Sequence, residues 1–304
     1  MHLQAGERKK EEAKAAWHLP AEPESITTHL LSEADRDEAL RFLDQRPSHT
    51  FGLVGFVLNN GIDSPLNRGK FYACRDERGG MIGLALIGHA TLFETGSEQA
   101  IESFARIAQN CQSIHMLWGE QGKVESFWSH YCEGGQPQRR FCRELLLEPE
   151  GPFEDLEGVP GLRRATLEDL DLIVPVHALT AFEESGVNPL DVDPEGFRQR
   201  CARRVEQGRT WVWVEGGELL FKAECQTETP EIVYLEGIWM DPGHRGKGLG
   251  LRCMTHLSRV LLERTKNICL LVNEQNRAAL DFYYRAGYGL TGYYDTIFLK
   301  QPVH

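Results

Sequence analysis

Two glycine-bearing segments, each placed directly after an apolar strand pattern, constrain the fold of this 304-residue chain more than any other feature. The first is residues 240–250 (MDPGHRGKGLG), and the second is residues 276–288 (NRAALDFYYRAGY). Pro242 ends the strand before the first segment, because proline lacks the N–H that a sheet ladder requires. Apolar residues then recur with helical spacing over residues 251–262. The order strand, loop, helix predicts an anion site at the helix N-terminus.

The loop before this helix has the composition of a phosphate-binding loop. Glycines let backbone N–H groups approach an anion, and the helix dipole favours negative charge there. The sequence fits neither a P-loop nor a Rossmann fingerprint, and taken alone the loop has a second interpretation as a solvated helix cap. The residues predicted to hold a pyrophosphate are Arg245, Gly246, Lys247, Gly248, Leu249 and Gly250.

The second segment fits the pattern N-x-x-A-x-x-F/L-Y-x-x-x-G-F/Y at every defined position. Together the two segments resemble the acyl-CoA-binding core of the GNAT (Gcn5-related) N-acetyltransferases, and at the level of motifs the resemblance covers residues 161–304. It implies an α/β fold with a mixed, mostly antiparallel sheet flanked by helices. It also implies acetyl-CoA as the acyl-CoA co-substrate and a primary amine as the acceptor.

The resemblance further implies where CoA lies. A V-shaped splay is expected between the strand ending at Met240 and the strand at residues 268–272, with the pantetheine arm inside it. Backbone groups of Ile238 and Met240, on either side of Trp239, would bind that arm. Gly237 suits a bulge that opens the strand. Asn276 is expected to contact pantetheine or to cap the following helix, and both roles are compatible.

Two residues are candidates for proton transfer. In the family a tyrosine at the position of Tyr283 protonates the departing thiolate, and the alternative is a core aromatic ring beside its neighbours Phe282 and Tyr284. Glu236, near the end of the CoA-side strand, is the candidate general base for the attacking amine, and the alternative is a solvent-facing glutamate. Glu183 and Glu184 end a long helix on the expected acceptor side, where they would bind an ammonium group or be merely solvated.

The chain also looks like one fold written twice. Residues 27–35 and 162–169 each predict a short strand followed by a capped helix. Hairpin patterns follow around Gly79–Gly80 and Gly216–Gly217. A segment rich in Pro, Gly and acids separates the copies. The predicted organisation is a charged tail at 1–25, a degenerate GNAT-like domain at 26–148, a linker at 149–160 and an acyl-CoA-binding GNAT domain at 161–304.

The first copy has lost the residues that would bind CoA. Residues 93–100 hold one glycine, two acids and no Arg or Lys where the anion loop should lie, so they would repel a pyrophosphate. Aligned on the similar strands before the last helix of each copy, Gly122 stands in place of Asn276 and Ser129 in place of Tyr283. The first copy is therefore expected to bind no CoA and either to cover part of the acceptor cleft or to mediate contacts between domains. Proteins with one working and one silent GNAT copy are similar in outline.

Composition narrows the function further. The formal net charge of −12 disfavours nucleic-acid binding, and no apolar run is long enough to span a membrane. Eight cysteines without a C-x-x-C pair favour free thiols in the cytoplasm, and no metal-ligand spacing is present. The leading hypothesis is an N-acetyltransferase for a small-molecule amine. The alternatives are a protein lysine acetyltransferase, a non-catalytic acyl-CoA sensor or scaffold, and an aminoacyl-tRNA-dependent transferase.

Overall fold

The computed structural model describes residues 26–300, apart from residue 155 and the side chain of residue 184, and its strands form one mixed twelve-stranded sheet. The predicted charged tail at 1–25 lies outside the described residues. The strands are β1 (Thr27–Leu30), β2 (Gly69–Arg75), β3 (Met81–Gly88), β4 (Ala90–Thr95), β5 (Met116–Glu120), β6 (Gln138–Pro149), β7 (Leu162–Arg164), β8 (Thr210–Glu215), β9 (Glu218–Glu228), β10 (Val233–Met240), β11 (Ile268–Asn273) and β12 (Tyr288–Leu299).

The α-helices pack on both faces of this sheet, as the resemblance implied. They are α1 (Arg36–Leu43), α2 (Pro47–Asn60), α3 (Glu98–Gln109), α4 (Gln121–Tyr131), α5 (Leu170–Ser185), α6 (Pro189–Val192), α7 (Pro194–Glu206), α8 (Leu249–Leu262) and α9 (Arg277–Arg285). Short 3-10 turns add Glu33–Asp35, Pro65–Asn67, Leu167–Asp169 and Pro242–His244. Within the described residues, no helix combines the length and the apolarity needed to cross a membrane.

Local signals place the elements that open each copy. Ser32 and Thr166 each form a capping box with the aspartate three residues later, so both predicted helix starts are confirmed. The hairpins β2–β3 and β8–β9 are antiparallel, as predicted. The turn of the second hairpin contains Gly216 and Gly217, which both have positive φ (60° and 83°). Glycine adopts such a backbone without steric cost.

The two halves, β1–β6 and β7–β12, exchange their last strands. The sheet order is β1-β2-β3-β4-β5-β12-β6-β11-β10-β9-β8-β7, so β12 pairs with β5 of the first half and β6 pairs with β11 of the second. The sequence of residues 288–299 predicts a hairpin-like tail, but this prediction is wrong. The segment is a single strand, β12, which pairs with β6 along its whole length and has one irregularity, between Leu290 and Gly292.

Among the described residues, two neighbouring strand pairs are parallel, and both open into a splay. In the first splay, β4 and β5 pair only at Ala90–Met116 and Thr91–Leu117. In the second splay, β10 and β11 pair at three positions, the last of which is Leu235–Leu270. Beyond these positions the strands continue without pairing to each other. The sheet is thus mostly antiparallel, and the splay predicted next to β10 is present.

Helix α2 belongs to the first half but lies across the second. The Thr227 hydroxyl on β9 donates to the Phe51 carbonyl at 2.6 Å, and the Phe51 ring stacks on that of Tyr234 from β10 at 4.3 Å. A Cβ added to Gly55 would lie 2.4 Å from the Thr227 hydroxyl, so glycine permits this close approach. Helices α2, α5 and α7 therefore share one face of β9 and β10, and α8 and α9 pack on the other.

Candidate functional site

The loop before α8 has the backbone that an anion-binding helix start requires. Gly246 and Gly248 have φ of 73° and 76°, a region that other residues enter only with strain. Gly248 is the N-cap of α8 and has no side chain to cover the first-turn N–H groups. Arg245 Nε donates to the Met240 carbonyl at 3.0 Å, which ties the loop to the end of β10.

The strand β10 bulges at the mouth of the second splay. Gly237 has a φ of 56°, and the register between β10 and β9 shifts between Glu236 and Trp239. The predicted bulge is therefore present. Beyond it, Ile238 and Met240 pack against the core under α8, whereas Trp239 packs on the opposite face with the residues of α5 and α7.

Helix α9 points Tyr283 inward. Tyr283 is 8% exposed and belongs to the core beneath α8, and its ring meets those of Phe282 at 5.0 Å and Tyr288 at 6.2 Å. The neighbouring Tyr284 is 45% exposed. Asn276 caps α9, because its Oδ1 accepts the Ala279 N–H at 3.1 Å. Of the two roles weighed for Asn276, the capping role is thus observed.

Glu236 faces α5 and α7 from the edge of the second splay. Its side chain keeps 31% of its surface exposed, and its Oε1 lies 3.9 Å from Arg204 on α7. Burial raises the pKa of Glu236, and the Arg204 guanidinium opposes that rise. Glu236 follows Leu235, the last residue of β10 that pairs with β11, so its carboxylate lies where the two strands begin to diverge. A carboxylate with a raised pKa at such a position has the properties of a general base.

Beside Glu236 lies a buried ionic cluster of four residues, which the sequence analysis missed: His177, Arg204, Lys222 and Glu224. Glu224 is its centre, with His177 Nδ1 at 2.9 Å, Arg204 Nη1 at 2.9 Å and Lys222 Nζ at 3.2 Å. Although burial opposes its charge, the three partners lower the pKa of Glu224 well below the ordinary value. The available signal was a lysine and a glutamate inside the apolar run at residues 219–225 of β9.

The predicted acceptor-side acids lie at the end of α5. Glu183 is exposed in the last turn of that helix, and the side chain of Glu184 lies outside the described residues. The helix end is held by strand β6 of the first half, because Arg139 donates to the Ser185 carbonyl at 2.9 Å. The exchanged strand β6 therefore borders the second half next to these acids.

The first splay is closed by a different set of charges. Arg46 donates to Glu94 on β4 and to Glu120 at the end of β5, both at 2.9 Å. Lys123 on α4 reaches the same two carboxylates at 2.7 Å. Although burial opposes ionisation, these hydrogen bonds lower the pKa of Glu120 to about 2. We call these four residues the ionic tie, because they join the two strands that diverge.

The residue of the first half that corresponds to Tyr283 is not the predicted one, because α4 starts earlier relative to its preceding strand than α9 does. Leu280 and Tyr283 are the buried residues of α9, and in α4 the buried pair with the same spacing is Val124 and Phe127. Ser129, the predicted counterpart, is exposed. The offset arises because β5 continues directly into α4, whereas three residues separate β11 from α9. The first half thus places a ring without a hydroxyl at this core position.

The same difference in helix start means that the counterpart of Asn276 is Glu120 rather than the predicted Gly122. The residues that precede the two helices are Glu120 and Asn276, which are their N-caps. Glu120 belongs to the ionic tie, so its carboxylate is held by cations rather than available to a ligand. Across the described residues, no three potential metal ligands lie together.

Comparison with known proteins finds a family match in the second half of the chain. The model of the acetyltransferase (GNAT) family matches residues 176–288. This range begins in α5 and contains the ionic cluster, the bulge, the anion loop and Tyr283. No curated protein matches the chain.

Several solved structures share the fold over nearly the whole chain. A Drosophila protein aligns with a TM-score of 0.63 at 15% identity, covering 91% of this chain and 99% of its own. A GNAT-family acetyltransferase from Colwellia psychrerythraea aligns with a TM-score of 0.57 at 15% identity, covering 91% of this chain and 100% of its own. A tandem GNAT protein from the clavulanic acid biosynthesis pathway aligns with a TM-score of 0.55 at 13% identity, covering 92% of this chain and 100% of its own. Residues 176–288 of this chain therefore match the acetyltransferase (GNAT) family, and the chain as a whole has the fold of a tandem GNAT protein.

Proposed function

We propose that the protein transfers an acetyl group from acetyl-CoA to a primary amine on a small molecule, and that only the second half performs this reaction. The observation that carries the proposal is the second splay, which opens at the Gly237 bulge and leads directly to the glycine loop of α8. GNAT enzymes use acyl-CoA as co-substrate, and the residues here fit one. The loop offers first-turn N–H groups to a pyrophosphate, and Lys247 adds a positive charge.

In this proposal the backbone of β10 holds pantetheine and polarises the thioester carbonyl. Ile238 lies in the register gap between Glu236 and Trp239 and has no paired residue on β9. The N–H of Asp241 donates to the Leu220 carbonyl on β9 at 2.8 Å, so the N–H of the preceding Met240 points away from β9. Both N–H groups can therefore face the splay. Donors fixed in position before the reaction stabilise the charge that develops on the carbonyl oxygen. Asn276 would contact pantetheine while it caps α9.

Proton transfer is assigned to two residues on opposite sides of the splay. The amine must lose a proton to attack, and Glu236 accepts it directly or through a water molecule. The neutral nitrogen then bonds to the carbonyl carbon, the carbon–sulfur bond breaks, and Tyr283 gives its proton to the thiolate. The nitrogen loses its second proton as the amide forms, and this proton restores the Tyr283 hydroxyl directly or through a water molecule. Burial raises the pKa of Glu236, which suits a base that works near neutral pH. Glu183 and Glu184 would attract the ammonium group at the cleft entrance.

The first half, proposed as residues 26–148, supports this site without binding CoA. The ionic tie spans its splay, Phe127 replaces the hydroxyl donor, and its loop lacks cations. Its helix α2 lies over β9 and β10 beside α7, where Arg203 donates to the Asn59 carbonyl at 2.8 Å. Because α2 covers part of the face of β9 and β10 on which Glu236 lies, it narrows the acceptor cleft. A narrow cleft favours a small amine over a lysine in a folded protein.

The experiment is calorimetric titration with acetyl-CoA on wild type, Gly250→Asp and Gly250→Asn. A Cβ at residue 250 meets nothing closer than 3.5 Å, and an acid in the first turn of a helix is compatible with its dipole. Both variants should therefore fold. We expect one site in wild type, strong loss of affinity with aspartate and a smaller loss with asparagine. Two sites would refute the silent first half, and no binding would refute the transferase.

The acceptor is tested by thiol release from acetyl-CoA with a panel of small amines and with unfolded lysine-containing peptides. Turnover with peptides alone would favour a protein lysine acetyltransferase. Binding of acetyl-CoA without turnover on any amine would favour a sensor or scaffold. All eight cysteines are free thiols, which fits the proposed location in the reducing cytoplasm.

A further inference from the structure

The ionic cluster beside Glu236 carries an excess of positive charge, which an ionised Glu236 reduces. Lys222 is fully buried, and Glu224 is 1% exposed. Lys222 and Arg204 bring two positive charges, and Glu224 brings one negative charge. Arg209, whose Nε donates to the Cys225 carbonyl at 3.0 Å, adds a further positive charge nearby. Burying unbalanced charge is expensive, so a second carboxylate is needed on this face of β9 and β10.

His177 does not supply the missing charge or take up a proton. Arg204 Nη1 lies 2.8 Å from His177 Nε2, and a guanidinium has only donors, so Nε2 must be the acceptor. The ring proton is then on Nδ1, which donates to Glu224 Oε1 at 2.9 Å. Burial lowers the pKa of His177 to about 4. The neutral histidine thus bridges the two residues: it accepts a hydrogen bond from Arg204 and donates one to Glu224.

We propose, on the basis of the proposed function, that Arg204 is a positioning residue that keeps Glu236 ionised and therefore ready to act as a base. The guanidinium is held by His177 and Glu224 and lies 3.9 Å from Glu236 Oε1, close enough to attract it without occupying it in a hydrogen bond. Glu236 remains 31% exposed, so an amine can reach it. When Glu236 takes a proton, the cluster regains its positive excess, which favours release of that proton.

The charged and titratable groups that face this carboxylate come from each element packed around it. They are Arg204 on α7, Arg209 before β8, and Lys222 and Glu224 on β9. His177 on α5 and Cys201 on α7 lie behind them, next to Arg204. Arg204 has the largest influence of a single charge on Glu236. Arg204 also binds Glu224, but of these three cations it is the one recorded within 4.0 Å of Glu236. Lys222 binds Glu224 and Gly237, and Arg209 binds backbone carbonyls.

The test measures the charge of Glu236 without relying on turnover. The carbon-13 carboxyl resonance of Glu236, assigned by its loss in Glu236→Gln, is titrated with pH in wild type, Arg204→Gln and Arg204→Lys. Arg200→Gln is the matched control, since Arg200 lies one turn earlier on α7 and pairs with the exposed Asp193 at 3.0 Å. We expect the midpoint to rise by roughly one to three pH units in Arg204→Gln, by less in Arg204→Lys, and not in the control.

A midpoint that does not move in folded Arg204→Gln overturns the inference. If only Arg204→Lys folds, an unmoved midpoint in that variant overturns it, because the shorter ammonium lies farther from Glu236. The acid limb of kcat/KM is then compared across the same variants. If the resonance moves and the limb does not, Arg204 controls the charge of Glu236, but the proposed base is wrong. If both move together, Arg204 supports the base.

Discussion

The Lys222 ammonium lies against the Gly237 bulge, where Nζ donates to the Gly237 carbonyl at 3.3 Å. A Cβ at residue 237 would lie 3.0 Å from that nitrogen. The bulge that opens the second splay is therefore supported from beneath by a fully buried cation. This contact joins the acceptor side of the site to the strand proposed to hold the thioester.

Gly237→Ala should weaken both the fold and CoA binding. The positive φ of residue 237 costs other residues about 1–2 kcal/mol, and the new methyl group must also displace Lys222. We expect a lower free energy of unfolding in urea and a weaker Kd for acetyl-CoA. Gly96→Ala is the control, because a Cβ there meets nothing within 4 Å. Unchanged CoA affinity in Gly237→Ala would show that the bulge is not needed for binding.

Tyr283→Phe should lower kcat by about a hundredfold while the Kd for acetyl-CoA stays close to wild type. The substitution removes only the hydroxyl that we assign to the leaving thiolate. Tyr284→Phe provides the matched comparison, since the adjacent ring is exposed and should not affect turnover. Stopped-flow measurement of thiol release gives both values. Equal kcat in the two variants would remove Tyr283 from the mechanism.

Glu236→Gln should abolish the acid limb of the pH–rate profile. Burial raises the pKa of Glu236 above its ordinary value of 4.5, so in wild type the rate should fall as the pH drops through that raised pKa and protonates the base. Glutamine cannot accept a proton, so the remaining rate should be low and should lack this limb. The measurement is kcat/KM for the best amine across pH. An acid limb that persists in Glu236→Gln would mean that another group titrates.

The ionic tie of the first half should contribute stability that depends on pH. The pKa of Glu120 is lowered from 4.5 to about 2, which corresponds to roughly 3 kcal/mol. A lowered pKa gives stability that is complete above pH about 4.5 and is lost as the pH falls towards 2. Urea unfolding at several pH values should show this slope in wild type and a shallower slope in Glu120→Gln. Parallel slopes would mean that the tie adds no stability.

The outcome for the site follows from how each residue is positioned. The residues of the anion loop, the bulge at Gly237 and the inward Tyr283 depend on neighbours within a few positions along the chain, so their backbone and burial could be predicted. Ser129 and Gly122 were matched wrongly because similarity between two strands does not reveal where each following helix starts. His177 and Arg204 gave no signal, since each occurs on a helix where a charged or polar residue is ordinary.

The sequence by itself determined the local structure of this protein: its strands, glycine turns, capped helices and the loop that precedes α8. These features arise from backbone preferences and short-range hydrogen bonds, which adjacent residues specify. Only the tertiary structure decided that β6 and β12 change places, because strand alternation defines a buried face but names no partner strand. The same holds for the ionic cluster, whose members between residues 177 and 224 meet only when two helices fold onto the sheet.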